Sequence, residues 1–321
     1  MPKKAPSATA DDILATRVGA LAFANPILAA SGTYGSGAEY ADFLPLAELG
    51  GIVTKSITLL PMAGNPPPRV VETASGMLNA IGLQNEGVEH FISKLLPPLR
   101  ATTARVIVSI AGKSEEEYEA LAMRLSPQPI DALEINISCP NIKAGGMAFS
   151  VSAALAAAVT RRVRRATRLP VWVKLSPNVT DIAEIARAVS DAGADALTVA
   201  NTFLGMAIDI EKRTPALANI TGGLSGPCIH PLTLRLVWQV RHAVSTPIVA
   251  CGGVGSIKEA LSFILAGASA VQVGSMNFIE PAICHRLKVE LANWCRQRHT
   301  RVSELIGALQ NSGGREDESD G

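Results

Sequence analysis

Short strand-like runs recur eight times along this chain, and helical stretches lie between them. Regular alternation of this kind predicts parallel strands joined by crossover helices, and eight repeats predict that the sheet closes on itself. We therefore expect an α/β fold, a (β/α)8 TIM barrel; an open, doubly wound sheet is the alternative. The eight runs are Asn25–Ser31, Gly51–Ser56, Arg105–Ala111, Ala132–Cys139, Pro170–Ser176, Ala196–Asn201, Pro247–Gly252 and Ala270–Gly274.

Helical periodicity and connection lengths complete the outline. Apolar residues recur at three- and four-residue spacing in Glu115–Leu125, Val151–Thr167, Thr180–Ala192, Leu232–Ala243 and Ile257–Ala266. Two connections, Ile57–Gly87 and Thr202–Pro231, are too long for simple loops. They follow strands 2 and 6, so we expect long excursions over the carboxyl ends of the strands. The predicted division is an N-terminal extension (1–20), the barrel (21–300) and a partly disordered C-terminal tail (301–321).

Composition excludes several classes of protein. The 321 residues are 48% hydrophobic and only 4% aromatic, so small aliphatic side chains must fill a large core. A net charge of +1 gives no case for nucleic-acid binding. No apolar run reaches the roughly 18 residues that span a bilayer, and the N-terminus lacks the apolar segment of a secretory signal. Five cysteines without CxxC spacing argue against a metal or iron–sulfur site in this chain and fit a reducing cytoplasm.

Polar residues and glycines occupy nearly every predicted strand end. In a parallel barrel these ends together build the site. In chain order they are Ser31 and Gly32, Lys55 and Ser56, Ser109, Asn136 with Cys139, Lys174, Asn201 with Thr202, Gly252 with Gly253, and Gly274 with Ser275. The glycines after the seventh and eighth strands predict a phosphate site, because backbone N–H groups can approach phosphate oxygens closely there. The alternative is that these glycines only form tight turns.

The end of the fourth strand is the most informative. Cys139 follows a strand with period-2 alternation, and Asn136 and Asn141 lie on either side of it. Asparagine side chains both donate and accept hydrogen bonds, so they suit a small substrate with carbonyl and N–H edges. A thiol beside them can take a proton. A buried cysteine with a purely structural role is the alternative.

Lys55 and Lys174 end the second and fifth strands in apolar surroundings. Two cations that face one barrel mouth could neutralise a carboxylate or an anionic cofactor ring. Solvated lysines without a function are the alternative.

Several of these segments resemble the dihydroorotate dehydrogenases, most closely their class 1B catalytic subunits. The resemblance runs from about Leu21 to Asn293 and is specific because all the segments occur together. They are Ala29–Thr33, Val53–Ser56, Gly64–Arg69, Asn79–Asn85, Asn136–Asn141, Thr221–Pro227 and Val271–Ser275. Class 2 relatives have serine at the position of Cys139 and carry an N-terminal membrane helix pair. The cysteine and a first strand near residue 25 disfavour that class.

The resemblance implies a barrel that holds one FMN at its strand ends and oxidises dihydroorotate to orotate in pyrimidine biosynthesis. Cys139 would remove a proton from C5 while hydride passes from C6 to the flavin N5, and Lys174 would stabilise negative charge near N1. The implied substrate contacts are Lys55, Asn79, Ala80, Ile81, Gly82, Leu83, Asn136, Asn141, Asn201 and Thr202. The implied FMN contacts are Ser31, Gly32, Lys55, Ser56, Ser109, Asn136, Lys174, Ala200, Gly226, Gly252, Gly253, Gly274 and Ser275.

Three positions depart from the family pattern. Ser109 stands where many relatives have an asparagine that faces FMN, and His230 replaces a frequent lysine. Ser150 stands where relatives tend to have glycine. These changes affect loop detail and partner contacts more than the chemistry.

The electron acceptor stays open at this point. Class 1B relatives reduce NAD through a second subunit with FAD and a 2Fe–2S cluster, so the resemblance implies a homodimer or a heterotetramer with such a subunit. Class 1A relatives use fumarate instead. Two further alternatives are a dihydropyrimidine dehydrogenase-type FMN barrel and a non-catalytic subunit that keeps the flavin barrel as a scaffold. The intact set of Cys139, Lys55 and Lys174 argues against the latter.

Overall fold

The computed structural model describes residues 13–35, 37–40, 42–43, 45–99, 101–137 and 151–310. The strands in these ranges are β1 (Thr16–Val18), β2 (Leu21–Phe23), β3 (Ile27–Ala29), β4 (Gly51–Val53), β5 (Val70–Thr73), β6 (Gly76–Asn79), β7 (Arg105–Ile110), β8 (Ala132–Asn136), β9 (Val171–Lys174), β10 (Ala196–Val199), β11 (Phe203–Met206), β12 (Ile208–Asp209), β13 (Thr214–Pro215), β14 (Thr221–Ser225), β15 (Ile248–Cys251) and β16 (Ala268–Val273). The α-helices are α1 (Gly87–His90), α2 (Leu96–Leu99), α3 (Glu115–Leu125), α4 (Ala153–Ala166), α5 (Ile182–Asp191), α6 (His230–Ala243), α7 (Ile257–Leu265), α8 (Met276–Ile279), α9 (Ile283–Gln297) and α10 (Val302–Leu305). A π-helical segment, Phe91–Leu95, joins α1 to α2, and 3-10 helices occur at Ala38–Tyr40, Leu46–Glu48 and Pro227–Ile229.

Eight parallel strands close into a barrel in the order β3, β4, β7, β8, β9, β10, β15 and β16. The last strand pairs with the first, with Val271 opposite Ile27 and Val273 opposite Ala29. Each barrel strand overlaps one of the eight predicted runs, and α3 to α7 each overlap one of the five predicted helical stretches. The prediction of a closed barrel is therefore confirmed, and the open-sheet alternative is wrong.

Side-chain caps fix where several outer helices begin. Ser114, Ser152, Asp181 and Ser256 each accept a hydrogen bond from a backbone N–H in the first turn of α3, α4, α5 and α7. These N–H groups have no partner inside the helix, so each cap contributes about 1 kcal/mol. The cap at Ser256 matters for the site, because it fixes α7 directly after the loop that follows β15.

A hairpin closes the amino end of the barrel. It consists of β1 and β2, which pair antiparallel. Val18 and Phe23 from this hairpin pack against inward side chains of the barrel strands, and the Phe23 ring centroid lies 6.2 Å from that of Trp172. All three side chains are buried. The predicted boundary at residue 20 between extension and barrel falls inside this hairpin.

The two long excursions meet above the other end of the barrel. Strands β5 and β6 from the first excursion and β11 and β14 from the second form one antiparallel sheet in the order β11, β14, β6, β5. Leu78, Ala80 and Leu217 form a small buried core of their own in this region. The excursions after the second and sixth barrel strands are confirmed, and their pairing with each other is a feature that sequence reasoning missed.

The C-terminal segment begins as part of the packed structure. Val302 and Leu305 of α10 belong to the main hydrophobic core. Residues from 311 onward lie outside the described ranges, so partial disorder of the tail stays a prediction. Within the part of the chain that the structure describes, no helix is both long and apolar enough to cross a membrane.

We predict that Phe23→Ala lowers the free energy of unfolding by about 3–5 kcal/mol, because a large side chain is removed from a packed position. Phe43→Ala is the matched control, since Phe43 is 63% exposed. The control should change the free energy of unfolding by no more than about 0.5 kcal/mol. Urea unfolding followed by circular dichroism measures both. Equal effects of the two substitutions would contradict the role of the hairpin as the floor of the barrel.

Candidate active site

The side chains that face the barrel interior change from apolar to polar between one inward position of the strands and the next. Side chains alternate between the two faces of a strand, so inward positions recur at every second residue. The lower inward layer is a buried apolar cluster of Leu28, Val53, Ile107, Ala132, Trp172, Ala196, Val249 and Ala270. Two residues further along each chain segment lies the layer that we name the polar ring: Ala30, Lys55, Ser109, Glu134, Lys174, Thr198, Cys251 and Gln272. The polar ring therefore lies at or just below the carboxyl ends of the barrel strands.

Glu134 connects opposite sides of the polar ring. Its Oε2 atom accepts a hydrogen bond of 2.7 Å from Thr198 Oγ1 and one of 3.0 Å from Gln272 Nε2. Strand β8, which carries Glu134, and strand β16, which carries Gln272, are four places apart in the closed order of eight. All three side chains are fully buried. The ring is thus a hydrogen-bonded platform that crosses the barrel lumen.

Lys174 lies in the same ring and is also buried. Burial acts to lower the pKa of Lys174, but the Cys251 and Glu134 side chains beside it outweigh burial and hold that pKa above its usual value. Burial raises the pKa of the Cys251 thiol, although Lys174 opposes this effect. At neutral pH the ring therefore contains an ammonium ion and a neutral thiol.

A chain of hydrogen bonds joins five of the predicted site residues at the barrel mouth. The Ser56 and Ser109 hydroxyl oxygens are 2.9 Å apart, and Asn136 Nδ2 donates to Ser56 Oγ at 3.0 Å. Asn201 Nδ2 donates to Asn136 Oδ1 at 3.3 Å, and Asn201 Oδ1 accepts from the Thr202 backbone N–H at 2.9 Å. The structure thus brings residues from four different strand ends into one network.

A glycine-lined cradle forms where two loops meet the start of α6. Gly253 has a φ of +78°, and a Cβ at this position would lie 2.6 Å from the backbone nitrogen of His230. Gly252 is equally confined, because its Cβ would lie 2.7 Å from Thr233 Oγ1. Gly226 immediately precedes the short helix that leads into α6. Only residues without side chains allow the backbone to approach this closely.

The cradle continues around the mouth at the first and eighth barrel strands. A Cβ at Gly32 would have no atom within 4 Å, and at Gly274 the nearest atom would be Ala30 Cβ at 3.8 Å. Ser31 and Ser275 follow the same two strands. After the sixth strand, which lies beside the seventh, the Ala200 backbone N–H donates to the Cys251 carbonyl at 3.0 Å. An open space therefore lies beside Gly32 and Gly274 on this side of the mouth.

Two cations lie on the other side of the mouth. Lys55 is half-buried; burial lowers its pKa and the nearby Arg69 guanidinium lowers it further, while Glu39 acts in the opposite direction. Arg69 comes from the first excursion, where it donates to Gln84 Oε1 at 2.5 Å and to the Asn65 carbonyl at 3.3 Å. Like charges held together in this way favour an anion between them.

The predicted substrate segment 79–83 is held by both excursions. Asn79 Nδ2 donates to the Gly223 carbonyl of β14 at 3.3 Å. Asn65 Nδ2 donates to the Ala80 carbonyl at 2.9 Å, and the Asn65 N–H donates to the Ile81 carbonyl at 3.0 Å. Gly82 and Leu83 follow with φ values of +75° and +56°. This segment is therefore a shaped loop whose conformation depends on contacts with Asn65.

Cys139 and Asn141 lie outside the described residues, as does Ser150, so their roles stay predictions. Within the described ranges, no group of three or more His, Cys, Asp or Glu side chains could hold a metal ion.

Sequence reasoning missed several residues that the structure adds to the site. They are Arg69, Glu134, Thr198, Cys251 and Gln272. The strand periodicity could have indicated four of them, because each lies two residues after an apolar residue that faces the barrel interior. Arg69 had no such signal, since its position depends on the fold of an excursion.

The fold and the site define a (β/α)8 barrel with a glycine-lined cradle and two cations, Lys55 and Arg69, at its carboxyl face. A family profile described as dihydroorotate dehydrogenase matches residues 13–294. The chain is 51% identical over 302 residues to the dihydroorotate dehydrogenase B (NAD(+)), catalytic subunit, of Desulforudis audaxviator, covering 94% of this chain and 98% of the relative. Proteins with the same name from Trichlorobacter lovleyi and Pelobacter propionicus are 50% and 52% identical, over 92% and 89% of this chain and 98% and 95% of their own lengths. The chain belongs to the dihydroorotate dehydrogenase family.

We predict that Gly253→Ala weakens the binding of FMN to the apoprotein by about tenfold or more, because a Cβ would strain a left-handed backbone and push His230 out of the cradle. Gly255→Ala is the matched control in the same loop, where the nearest atom to a Cβ would be Met276 Cγ at 3.5 Å. Quenching of flavin fluorescence measures both dissociation constants. Similar affinities for the two variants would show that the cradle does not hold the ligand.

Proposed function

We propose that this protein oxidises dihydroorotate to orotate in pyrimidine biosynthesis, with FMN in the barrel mouth and NAD as the final acceptor through a separate subunit. The observation that carries this proposal is the identity of about half of all residues with relatives named dihydroorotate dehydrogenase B (NAD(+)), catalytic subunit, over nearly their whole length. The chain is an oxidoreductase of this family. The geometry of the mouth supports the same conclusion, because its glycine-lined cradle would suit a phosphate and its two cations would suit a carboxylate.

The residues around the mouth fit FMN. The cradle of Gly226, Gly252 and Gly253 has the backbone approach that a phosphate needs, and the open space beside Gly32 and Gly274 has room for a ligand. Lys174 places a buried ammonium ion in the polar ring below. FMN, when bound, supplies the N5 atom that accepts hydride and draws negative charge toward N1. By resemblance, Lys174 would be the cation that stabilises this charge.

The amide network fits the pyrimidine ring of the substrate. Asn79, Asn136, Asn201 and Thr202 bring side-chain donors and acceptors to the mouth, and Asn141 would join them by resemblance. Carbonyl and N–H groups of a buried pyrimidine need such partners, since each unpaired group would cost about 1–3 kcal/mol. Because the network already links Asn136 to Asn201 and to Ser56, its side chains are held in place before the substrate arrives.

Lys55 and Arg69 fit the substrate carboxylate. They come from the second barrel strand and from the excursion that follows it, so they approach the mouth from one side. The carboxylate distinguishes dihydroorotate from the dihydro forms of uracil and thymine. Paired cations at this point therefore favour dihydroorotate over the substrates of a dihydropyrimidine dehydrogenase-type barrel.

Cys139 is the proposed base. By resemblance it takes the proton from C5 while hydride leaves C6. The last described residues before it in the sequence are Asn136, at the end of β8, and the buried Ile137. A thiol titrates near pH 8.5 in water, so even a modest local shift would make it effective near neutral pH.

We infer that a second subunit carries the electrons onward. The words catalytic subunit in the relatives' name imply a partner in those proteins. For this chain we propose a homodimer, or a heterotetramer with a subunit that holds FAD and a 2Fe–2S cluster. Cytoplasmic location stays a prediction.

The decisive experiment reduces the purified, FMN-loaded chain with dihydroorotate and then offers different acceptors. We expect the flavin to bleach with dihydroorotate and not with dihydrouracil. We expect turnover with NAD only when an iron–sulfur flavoprotein subunit is added, and little turnover with fumarate. A protein that stays colourless after flavin addition would contradict the proposal. Rapid turnover with fumarate alone would indicate a class 1A-type enzyme instead.

We predict that Cys139→Ser keeps FMN bound but slows its reduction by dihydroorotate about a hundredfold or more, because a hydroxyl is a much poorer base than a thiol. Stopped-flow bleaching of the flavin measures the rate. Cys228→Ser is the matched control, because Cys228 is exposed. An unchanged rate in Cys139→Ser would exclude Cys139 as the base.

We predict that Arg69→Gln moves the alkaline loss of orotate binding to higher pH. The ammonium form of Lys55 binds the carboxylate, so affinity falls as the pH rises through the pKa of Lys55. Burial and Arg69 hold that pKa below its usual value, with Glu39 opposing, so removal of the Arg69 charge should raise it. The pH dependence of the orotate dissociation constant, read from the flavin spectrum, measures this shift.

The control for the Arg69 experiment is Arg187→Gln, which removes a cation from the surface of α5. Its pH profile should coincide with that of the unaltered protein. An Arg69→Gln profile that does not move to higher pH would mean that Lys55 does not bind the carboxylate.

A further inference from the structure

Glu134 is fully buried, and burial of a carboxylate carries a large desolvation cost. The proposed chemistry gives Glu134 no role that would explain this cost. Its Oε2 atom accepts hydrogen bonds from Thr198 and Gln272. Its Oε1 atom has no hydrogen-bond partner among the residues that the structure describes. Thr198 and Gln272 are neutral, so they orient the carboxylate but do not balance its charge. The layer directly below is apolar, so a hydrophobic side chain would have been compatible with this level of the barrel.

The strand next to that of Glu134 carries a buried cation, Lys174. Lys174 of β9 is paired with Asn136 of β8 on one side and with Thr198 of β10 on the other. Glu134 lies two residues before Asn136 on β8, and its carboxylate accepts a hydrogen bond from Thr198 on β10. The strands on both sides of Lys174 therefore contribute to the position of this carboxylate. Glu134 also acts on Lys174 electrostatically.

We propose that Glu134 is a positioning residue for Lys174: its carboxylate, oriented by Thr198 and Gln272, keeps Lys174 an ammonium ion at the base of the flavin site. This inference rests on the proposed function, because it concerns the cation offered to FMN. It assigns a purpose to a buried charge that would otherwise only destabilise the barrel.

Among the described groups around Lys174, Cys251 also raises the pKa of this lysine, but it does not carry a negative charge at neutral pH. Cys251 faces it from β15, but burial raises the pKa of that thiol and keeps it neutral near pH 7. Thr198 on β10 carries no charge, and Lys55 in the same ring is itself a cation. Glu134→Gln therefore leaves the ammonium ion buried without a carboxylate, and Lys174 should then release its proton at lower pH.

The test uses sulfite, which adds to the N5 atom of oxidised flavin and gives an adduct with negative charge near N1. A cation near N1 strengthens this binding, so the sulfite dissociation constant reports the charge of Lys174 without turnover. At pH 9, we expect Glu134→Gln to bind sulfite about tenfold more weakly than the unaltered holoprotein. At pH 6, where Lys174 regains its proton, the difference should shrink. Equal or tighter binding in the variant at pH 9 would overturn the proposal.

A double-mutant cycle separates this role from general loss of packing. In a Lys174→Met background, Glu134→Gln should have no further effect on sulfite binding, because the residue through which it acts is gone. A further loss of the same size would show that Glu134 acts in some other way. Circular dichroism checks that each variant is folded.

Thr198→Val decides the question if Glu134→Gln does not fold. This variant keeps the carboxylate but removes one hydrogen bond to it. A smaller weakening of sulfite binding, again greater at pH 9 than at pH 6, is the expected result, and no change would overturn the proposal.

The unaltered protein distinguishes failure of the proposed function from failure of the role of Glu134. If it fails to bind FMN or to oxidise dihydroorotate, the proposed function is wrong; if it does both while the variants match it, only the role of Glu134 is wrong.

Discussion

The step from an apolar layer to a polar ring inside the barrel is the constraint on which the rest of the structure depends. Eight strands contribute one inward side chain each to both layers, because side chains alternate along a strand. The lower layer packs against the hairpin and closes the barrel floor. The upper layer can then hold charged and hydrogen-bonding groups without exposing the core to water. A site of this kind needs the closed barrel, since an open sheet would not surround the ring from every side.

Burial of these polar groups has an energetic consequence. A buried charge is expensive to desolvate, and a hydrophobic replacement of an ion pair is often neutral or stabilising. The ring nevertheless contains Glu134 and Lys174, both fully or nearly fully buried. Their presence is explained if the barrel gives up some stability to fix a cation in a water-poor site, where it acts more strongly on a neighbouring negative charge than it would in water.

Much of the fold was accessible from the sequence, and the limits have physical causes. The eight barrel strands follow from apolar runs and their spacing, which are local properties. The pairing of the two excursions joins segments such as Asn79 and Gly223 that are far apart in the chain, and no local pattern specifies it. Glu134 was missed for a different reason. Its strand alternates between polar and apolar residues, and the polar residues line the barrel lumen while the apolar ones pack on the helices. Both faces are buried, so alternation marked the lining of the site and not a solvated face.

The cysteines support the proposed division of labour between this chain and a partner. Cluster iron is held by thiolates, so a ligand cysteine must lose its proton. Burial raises the pKa of Cys284 to about 12 and also raises that of Cys295, which leaves both as neutral thiols in α9. Cys251 lies in the polar ring beside Lys174, and burial likewise raises the pKa of its thiol. Among the described cysteines, only Cys228 is exposed, and one thiol cannot hold a cluster. A 2Fe–2S cluster in the proposed complex would therefore take its ligands from the proposed partner subunit and not from these four cysteines.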